Sequence, residues 1–202
     1  LMMGLRTVEW THPDRWALEV LAQIMEERLF KTIRFQRGLA YDVHGFAEYF
    51  SDTGYFGLST QIESRHCAQV QRLIEEEFNH IRQGQLTADE VSNAQAALIG
   101  RHALDMEDNL NRAEWLARWA LAAGDDAPPD FAAAIGAVTP VEVQRVLNAY
   151  FTPQRRFVGA HIPLTMMPHA ARLVGAAMSL SVVILVARRI WRWVRRRRGL
   201  EL

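Results

Sequence analysis

Few side chains in this sequence are of types that do chemistry. Seven histidines (His12, His44, His66, His80, His102, His161 and His169) and one cysteine, Cys67, are spread over 202 residues. A zinc-peptidase site built on one helix carries two histidines four residues apart with a glutamate beside one of them. No pair here falls at i, i+4, and neither H-x-x-E-H nor H-E-x-x-H occurs. The sequence therefore offers no zinc site of its own. His66 adjoins Cys67, but adjacent residues on a helix face different directions, so the two read as a surface imidazole and a buried thiol. Glu75-Glu76-Glu77 reads as a solvated helix face, and Asp105, Glu107 and Asp108 as an exposed acidic one without histidine partners. There is no phosphate-cradling glycine loop and no G-x-S-x-G elbow.

The elements that would position such residues follow from periodicity. Leu1 to Glu9 reads as a strand, opening without a leader, as though an N-terminal part were missing. After His12-Pro13-Asp14, the residues Trp16, Leu18, Leu21, Ile24, Met25, Leu29 and Ile33 recur at helical spacing to about Gln36, and Gly38 ends that helix. Tyr41 to Phe50 and Tyr55 to Ile62 form a predicted hairpin across Ser51-Asp52-Thr53-Gly54. Ser64 is placed to cap a helix running to about Gln83. Thr87 to Glu90 has capping-box spacing ahead of a long helical stretch toward Gly124, and Asp125 to Pro129 breaks it. Thr139-Pro140-Val141-Glu142 repeats the box before Val143, Val146, Leu147 and Tyr150, and Arg156 to Ile162 reads as a last strand. Strand, helix, two strands, three or four helices and a strand predict an α+β fold. Its sheet is antiparallel or mixed, with helices packed on one face.

One segment is more specific. Leu29-Phe30-Lys31-Thr32-Ile33-Arg34-Phe35-Gln36-Arg37-Gly38-Leu39-Ala40-Tyr41-Asp42-Val43 lies where a helix ends and a strand begins. It resembles the signature LF-x-x-(L/I)-R-x-x-R-G-L-A-Y-x-V of the second half of pitrilysin-, insulysin- and mitochondrial-processing-peptidase-type zinc metallopeptidases, the inverzincins. The resemblance extends over residues 1–162 through Gly4, Pro13-Asp14, Gly54-Tyr55-Phe56 and Thr87 to Glu90. It implies a pair of homologous α/β domains closing around a peptide. The first carries H-x-x-E-H and the zinc; the second carries an arginine and a tyrosine, which map onto Arg34 and Tyr41. Both are hydrogen-bond donors without a basic role at neutral pH, suited to holding a scissile carbonyl and stabilising its oxyanion. Gly38, between them, allows the backbone reversal that the pairing needs. Arg37 reads as a helix C-terminal charge. The implied partners are a zinc-bearing half, in the same polypeptide or a separate subunit, and a peptide or protein substrate. No cofactor is expected in this chain, and zinc is expected in the partner half. The alternative is a proteolytically silent, membrane-tethered scaffold of the same fold.

Composition divides the chain. Half its residues are apolar and it has one cysteine, which excludes a disordered polar tail and a disulfide-stapled miniprotein. The 23 basic and 23 acidic residues cancel only in total: residues 1–171 carry −7 and residues 172–202 carry +7. From Leu173 to Ala187 run 15 uncharged residues, followed by seven arginines and by Trp191 and Trp193. Fifteen residues reach about 22 Å as a helix, short of a roughly 30 Å hydrocarbon core, unless Arg172 snorkels and the tryptophans take the far interface. An amphipathic interfacial helix or a nucleic-acid-binding basic tail is the competing reading; the one adopted is membrane lipid as partner and no nucleic acid. The expected organisation is a peptidase-type domain at 1–162, a linker at 163–169, a transmembrane helix at 170–194 and a basic cytoplasmic tail at 195–202. The positive-inside rule then puts the chain in a bacterial inner membrane, single-pass, with the body in the periplasm.

Overall fold

Helix α1 (Arg15–Leu29) is buried over most of its surface, with Arg15 and Gln23 buried beside its apolar residues, so it must be covered on more than one side. Its Leu18, Leu21, Ile24, Met25 and Leu29 are fully buried. In the computed structural model, which describes residues 1–152 and 155–161, α1 lies between a sheet and an outer set of helices. The sheet is formed by β1 (Met2–Thr7), β2 (Ala40–Tyr49), β3 (Gly54–Ile62) and β4 (Arg156–Gly159) in the order β2-β3-β1-β4, with every pairing antiparallel. The outer helices are α2 (Cys67–Arg82), α3 (Ala88–Asp105), α4 (Asn109–Ala123), α5 (Phe131–Gly136) and α6 (Pro140–Tyr150).

Strand alternation sends Met3, Leu5, Val43, Phe56 and Leu58 to the helix side, where Phe56 meets Phe78 of α2 and Phe151. On the other side a cross-strand row runs Phe46, Gly57, Gly4, Phe157, and the two rings lie over the two glycines. A carboxylate ties the start of α1 to α6. Asp14 accepts from Arg145 Nη2 at 2.6 Å and from the Tyr150 hydroxyl at 2.7 Å.

Both predicted capping boxes form, with Thr87 and Glu90 opening α3 and Thr139 and Glu142 opening α6. Four expectations need correction. Ser64 does not cap α2: it starts a 3₁₀ turn, Ser64–His66, and α2 begins at Cys67 without a side-chain cap. The stretch toward Gly124 is two helices, because the Asp108 carboxylate accepts from the amides of Leu110 and Asn111 and starts α4 anew. That break and the short α5 bring the helices after the hairpin to five. Glu77 is not part of a solvated face, since Arg28 and His80 pair with it and its side chain is 14% exposed.

Residue contacts divide the chain into two units, Leu1–Ala160 and His161–Leu202. The expected linker, transmembrane helix and basic tail lie outside the described residues. No helix among the described residues is long and apolar enough to cross a membrane.

Candidate functional site

Two irregularities in the backbone bring Arg34 and Tyr41 together. The first is in the helix. Beyond Leu29 the turns widen into a π-helical segment, Phe30–Gln36. It ends where Gly38, at φ +60°, takes a left-handed conformation that a side chain would strain. There the Gly38 amide bonds to the Arg34 carbonyl and the Leu39 amide to the Ile33 carbonyl.

The second irregularity is in the strand. Ala40 lies opposite Ile62 but Val43 lies opposite Thr60, so β2 holds one residue more than β3 over this interval, a β-bulge. The Asp42 carbonyl accepts from Thr60 Oγ1 at 2.6 Å, and the Asp42 carboxylate accepts from the Val43 amide at 2.9 Å. The bulge changes which way Tyr41 points. Tyr41 shares its parity with the buried Val43 and Tyr49, and an unbroken strand would turn it toward α1. With the extra residue it is 79% exposed, while Val43 is 2% exposed.

Arg34 Nη1 donates to the backbone carbonyl of Tyr41 at 2.6 Å, and the guanidinium carbon lies 4.5 Å from the centre of the Tyr41 ring. Phe30 and Phe35 complete the cluster at 4.9 and 5.9 Å from the same carbon and meet each other edge-on at 5.2 Å. Cation–π contacts at an exposed site contribute about 0.5–1 kcal/mol each, so the rings fix the orientation of Arg34 more than they stabilise the fold. Among the described residues, Arg34 Nη2 and Nε and the Tyr41 hydroxyl make no other hydrogen bond, which leaves three donors at the rim of the sheet.

The sequence pairs Arg34 with Tyr41 and the structure places them in contact. It gives no warning of the aromatic frame. Phe30 and Phe35 stand five apart, a spacing that helical periodicity of three and four does not register. Arg37 caps the π segment and is exposed. Next along β2, His44 Nε2 meets the Asp42 carboxylate at 2.7 Å on the surface. Cys67 is a free thiol and His66 Nε2 accepts from Arg65 Nε at 3.1 Å, so no thiol–imidazole pair forms. Among the described residues no group of three or more His, Cys, Asp and Glu side chains is arranged to hold a metal ion.

Residues 1–98 match the family model described as the peptidase M16 inactive domain. An uncharacterized zinc protease of Streptomyces coelicolor is 30% identical over 151 residues, covering 72% of this chain and 33% of the relative. The chain spans about a quarter to a third of the length of the curated relatives it matches. Two solved structures share the fold. A protease from Helicobacter pylori superposes with a TM-score of 0.65 at 16% identity, over 77% of this chain and 39% of that one. An inactive peptidase domain from Bordetella parapertussis superposes with a TM-score of 0.62 at 19% identity, over 80% of this chain and 91% of that one. On the family match and the relatives, the chain belongs to the family of peptidase M16 inactive domains.

Proposed function

We propose that this chain is the substrate-holding, non-zinc half of a zinc metalloendopeptidase. A partner half bearing H-x-x-E-H supplies the hydrolytic chemistry. Arg34 and Tyr41 of this chain clamp the peptide by its scissile carbonyl and stabilise the charge that develops on that oxygen. The observation that carries the reading is the guanidinium held against the Tyr41 ring by its bond to the Tyr41 carbonyl. That contact leaves donors of both side chains without a partner among the described residues of this chain, and the bulge keeps Tyr41 on the rim instead of in the core. Donors fixed in advance need no reorganisation when charge develops, and removing one such donor typically costs a hundred- to thousandfold in kcat. The chain itself is tethered to the bacterial inner membrane by its C-terminal tail, with the body on the periplasmic side.

The test is kinetic. In the protein assembled with its zinc-bearing half, Tyr41→Phe lowers kcat about tenfold to a thousandfold with the fold intact, and Arg34→Ala behaves alike. Unchanged kinetics in both variants would reduce the pair to a structural cap. Absence of any turnover in the assembled protein would favour the other reading, a proteolytically silent, membrane-tethered scaffold.

A further inference from the structure

Helix α4 carries an apolar face on its outer side. None of its 15 residues is buried. It rests on the domain through Trp115, Trp119 and Ala122: Trp115 meets His102 at 5.5 Å, and Trp119 and Ala122 pack against the core. At about 100° per residue, the opposite side presents Leu116, Ala120, Ala113, Ala117, Leu110 and Leu121 in an arc of about 140°. Leu110 is 75% exposed, Leu121 86% and Leu116 46%. The charged residues of α4 lie outside this arc. Arg112 turns back to the Met106 carbonyl at 2.7 Å, and Glu114 and Arg118 pair with each other at 2.6 Å along one border. A helix that faces only water carries its polar residues on that side, so an uncharged strip with a charged border marks a surface that another surface covers.

The residues of the strip are arranged to match a copy of themselves. Leu110 and Leu121, Ala113 and Ala120, and Glu114 and Arg118 are each placed symmetrically about Leu116, to within half a residue. A two-fold axis at Leu116 that sets two copies of α4 antiparallel keeps the same border of each helix on the same side. Leu110 then meets Leu121 of the second copy, Leu116 meets its own equivalent, and the alanines let the helix axes approach. On the charged border Glu114 faces Arg118 of the second copy, and the symmetry makes that contact twice with no like charges opposed. We propose that the Leu110–Leu121 face of α4 is a homodimer interface, on which a second copy of this chain packs antiparallel about a two-fold axis at Leu116. None of these residues belongs to the Arg34–Tyr41 site, so the inference stands apart from the role proposed for that pair. A face about 22 Å long and one helix wide covers less than the roughly 800 Å² per partner of a lasting interface, so the pairing is reversible and is best read by trapping.

The experiment expresses the complete protein in intact cells, in a background freed of thiols by Cys67→Ser and by removal of any other cysteine, and applies a short, membrane-permeant bismaleimide. Leu116→Cys lies on the axis and is expected to give a product of twice the mass of the protein. Leu110→Cys alone is expected to give at most a trace, because two such thiols stand about 18 Å apart along antiparallel helices. Two co-expressed, differently tagged copies, one with Leu110→Cys and the other with Leu121→Cys, are expected to cross-link to each other. In the Leu116→Cys background, Glu114→Arg sets an arginine against Arg118 of the second copy and is expected to abolish the dimer band. Adding Arg118→Glu reverses both charges and is expected to restore it. Glu114 is exposed, so circular dichroism of Glu114→Arg should match wild type. Four outcomes would overturn the proposal: no dimer from Leu116→Cys, cross-linking to a different protein instead, an equal yield from Leu110→Cys alone, or a double charge reversal that fails to restore the band.

Discussion

Asp14 and Glu19 lie about one turn apart at the start of α1 and respond to pH in opposite directions. The Arg145 hydrogen bond, helped by Tyr150, holds the Asp14 carboxyl below its ordinary value of 3.8 against the opposing effect of burial. A depressed carboxyl contributes stability above its unfolded value and loses it as pH falls through the folded one. Asp14→Ala should therefore cost about 1–3 kcal/mol at neutral pH, because Arg145 and Tyr150 lose a charged partner. The difference from wild type should shrink as the solution is acidified below pH 3.8. Glu19 is the reverse case. Desolvation raises its carboxyl to about 7; Arg15 and Arg101 draw it down, and Glu48 adds to the rise. Between pH 4.5 and about 7 the folded protein keeps a proton that the unfolded chain has released, so stability declines as pH rises through this window. Urea titrations of Glu19→Gln should show a flatter profile there. An unchanged slope would mean that Glu19 titrates normally.

At the scale of elements, the approach of α1 to β2 depends on a missing methyl group. A Cβ at Gly45 would stand 2.3 Å from the backbone carbonyl oxygen of Ala22, while the Gly45 amide donates to Glu26 at 2.8 Å. Backbone cannot swing aside, so Gly45→Ala should cost about 1–3 kcal/mol or more, measured by denaturant unfolding. At Gly57 the nearest atoms belong to the far end of the Phe46 ring, which can turn away. Gly57→Ala should therefore be the milder change, and equal costs would argue against a close helix–strand contact at Gly45. The elements were legible in the sequence wherever a local rule acted alone. The two capping boxes, the hairpin at Ser51 to Gly54 and the Gly38 reversal all lie within a few residues of the groups that enforce them. The breaks were not legible where two rules competed. Asp108 can sit within a helix or restart one, and only its bonds to Leu110 and Asn111 decide which. Nor does any local pattern announce that β2 carries an extra residue before Val43, since the register is set by pairing with β3. The Arg34–Tyr41 pair was readable through its motif. The π-helical turn and the bulge that orient it belong to the tertiary structure.

At the scale of the whole molecule, the charge division gives the remaining test. Residues 1–171 carry −7 and residues 172–202 carry +7, with the uncharged run Leu173 to Ala187 placed ahead of seven arginines. If that run crosses the bilayer, hydrocarbon burial holds the chain, and the arginines remain on the cytoplasmic side. If the tail is only a basic surface anchor, its hold is electrostatic and fades once salt shortens the screening length, which is about 10 Å at 0.1 M and about 3 Å at 1 M. The two cases separate in a membrane preparation. The proposed span keeps the chain in the pellet through washes in 1 M salt and in carbonate, and protease added to the periplasmic side of intact spheroplasts digests the body. Release by salt alone would exclude the span. Protection of the body in intact spheroplasts would instead place the domain in the cytoplasm, where Arg34 and Tyr41 would meet a different set of peptides.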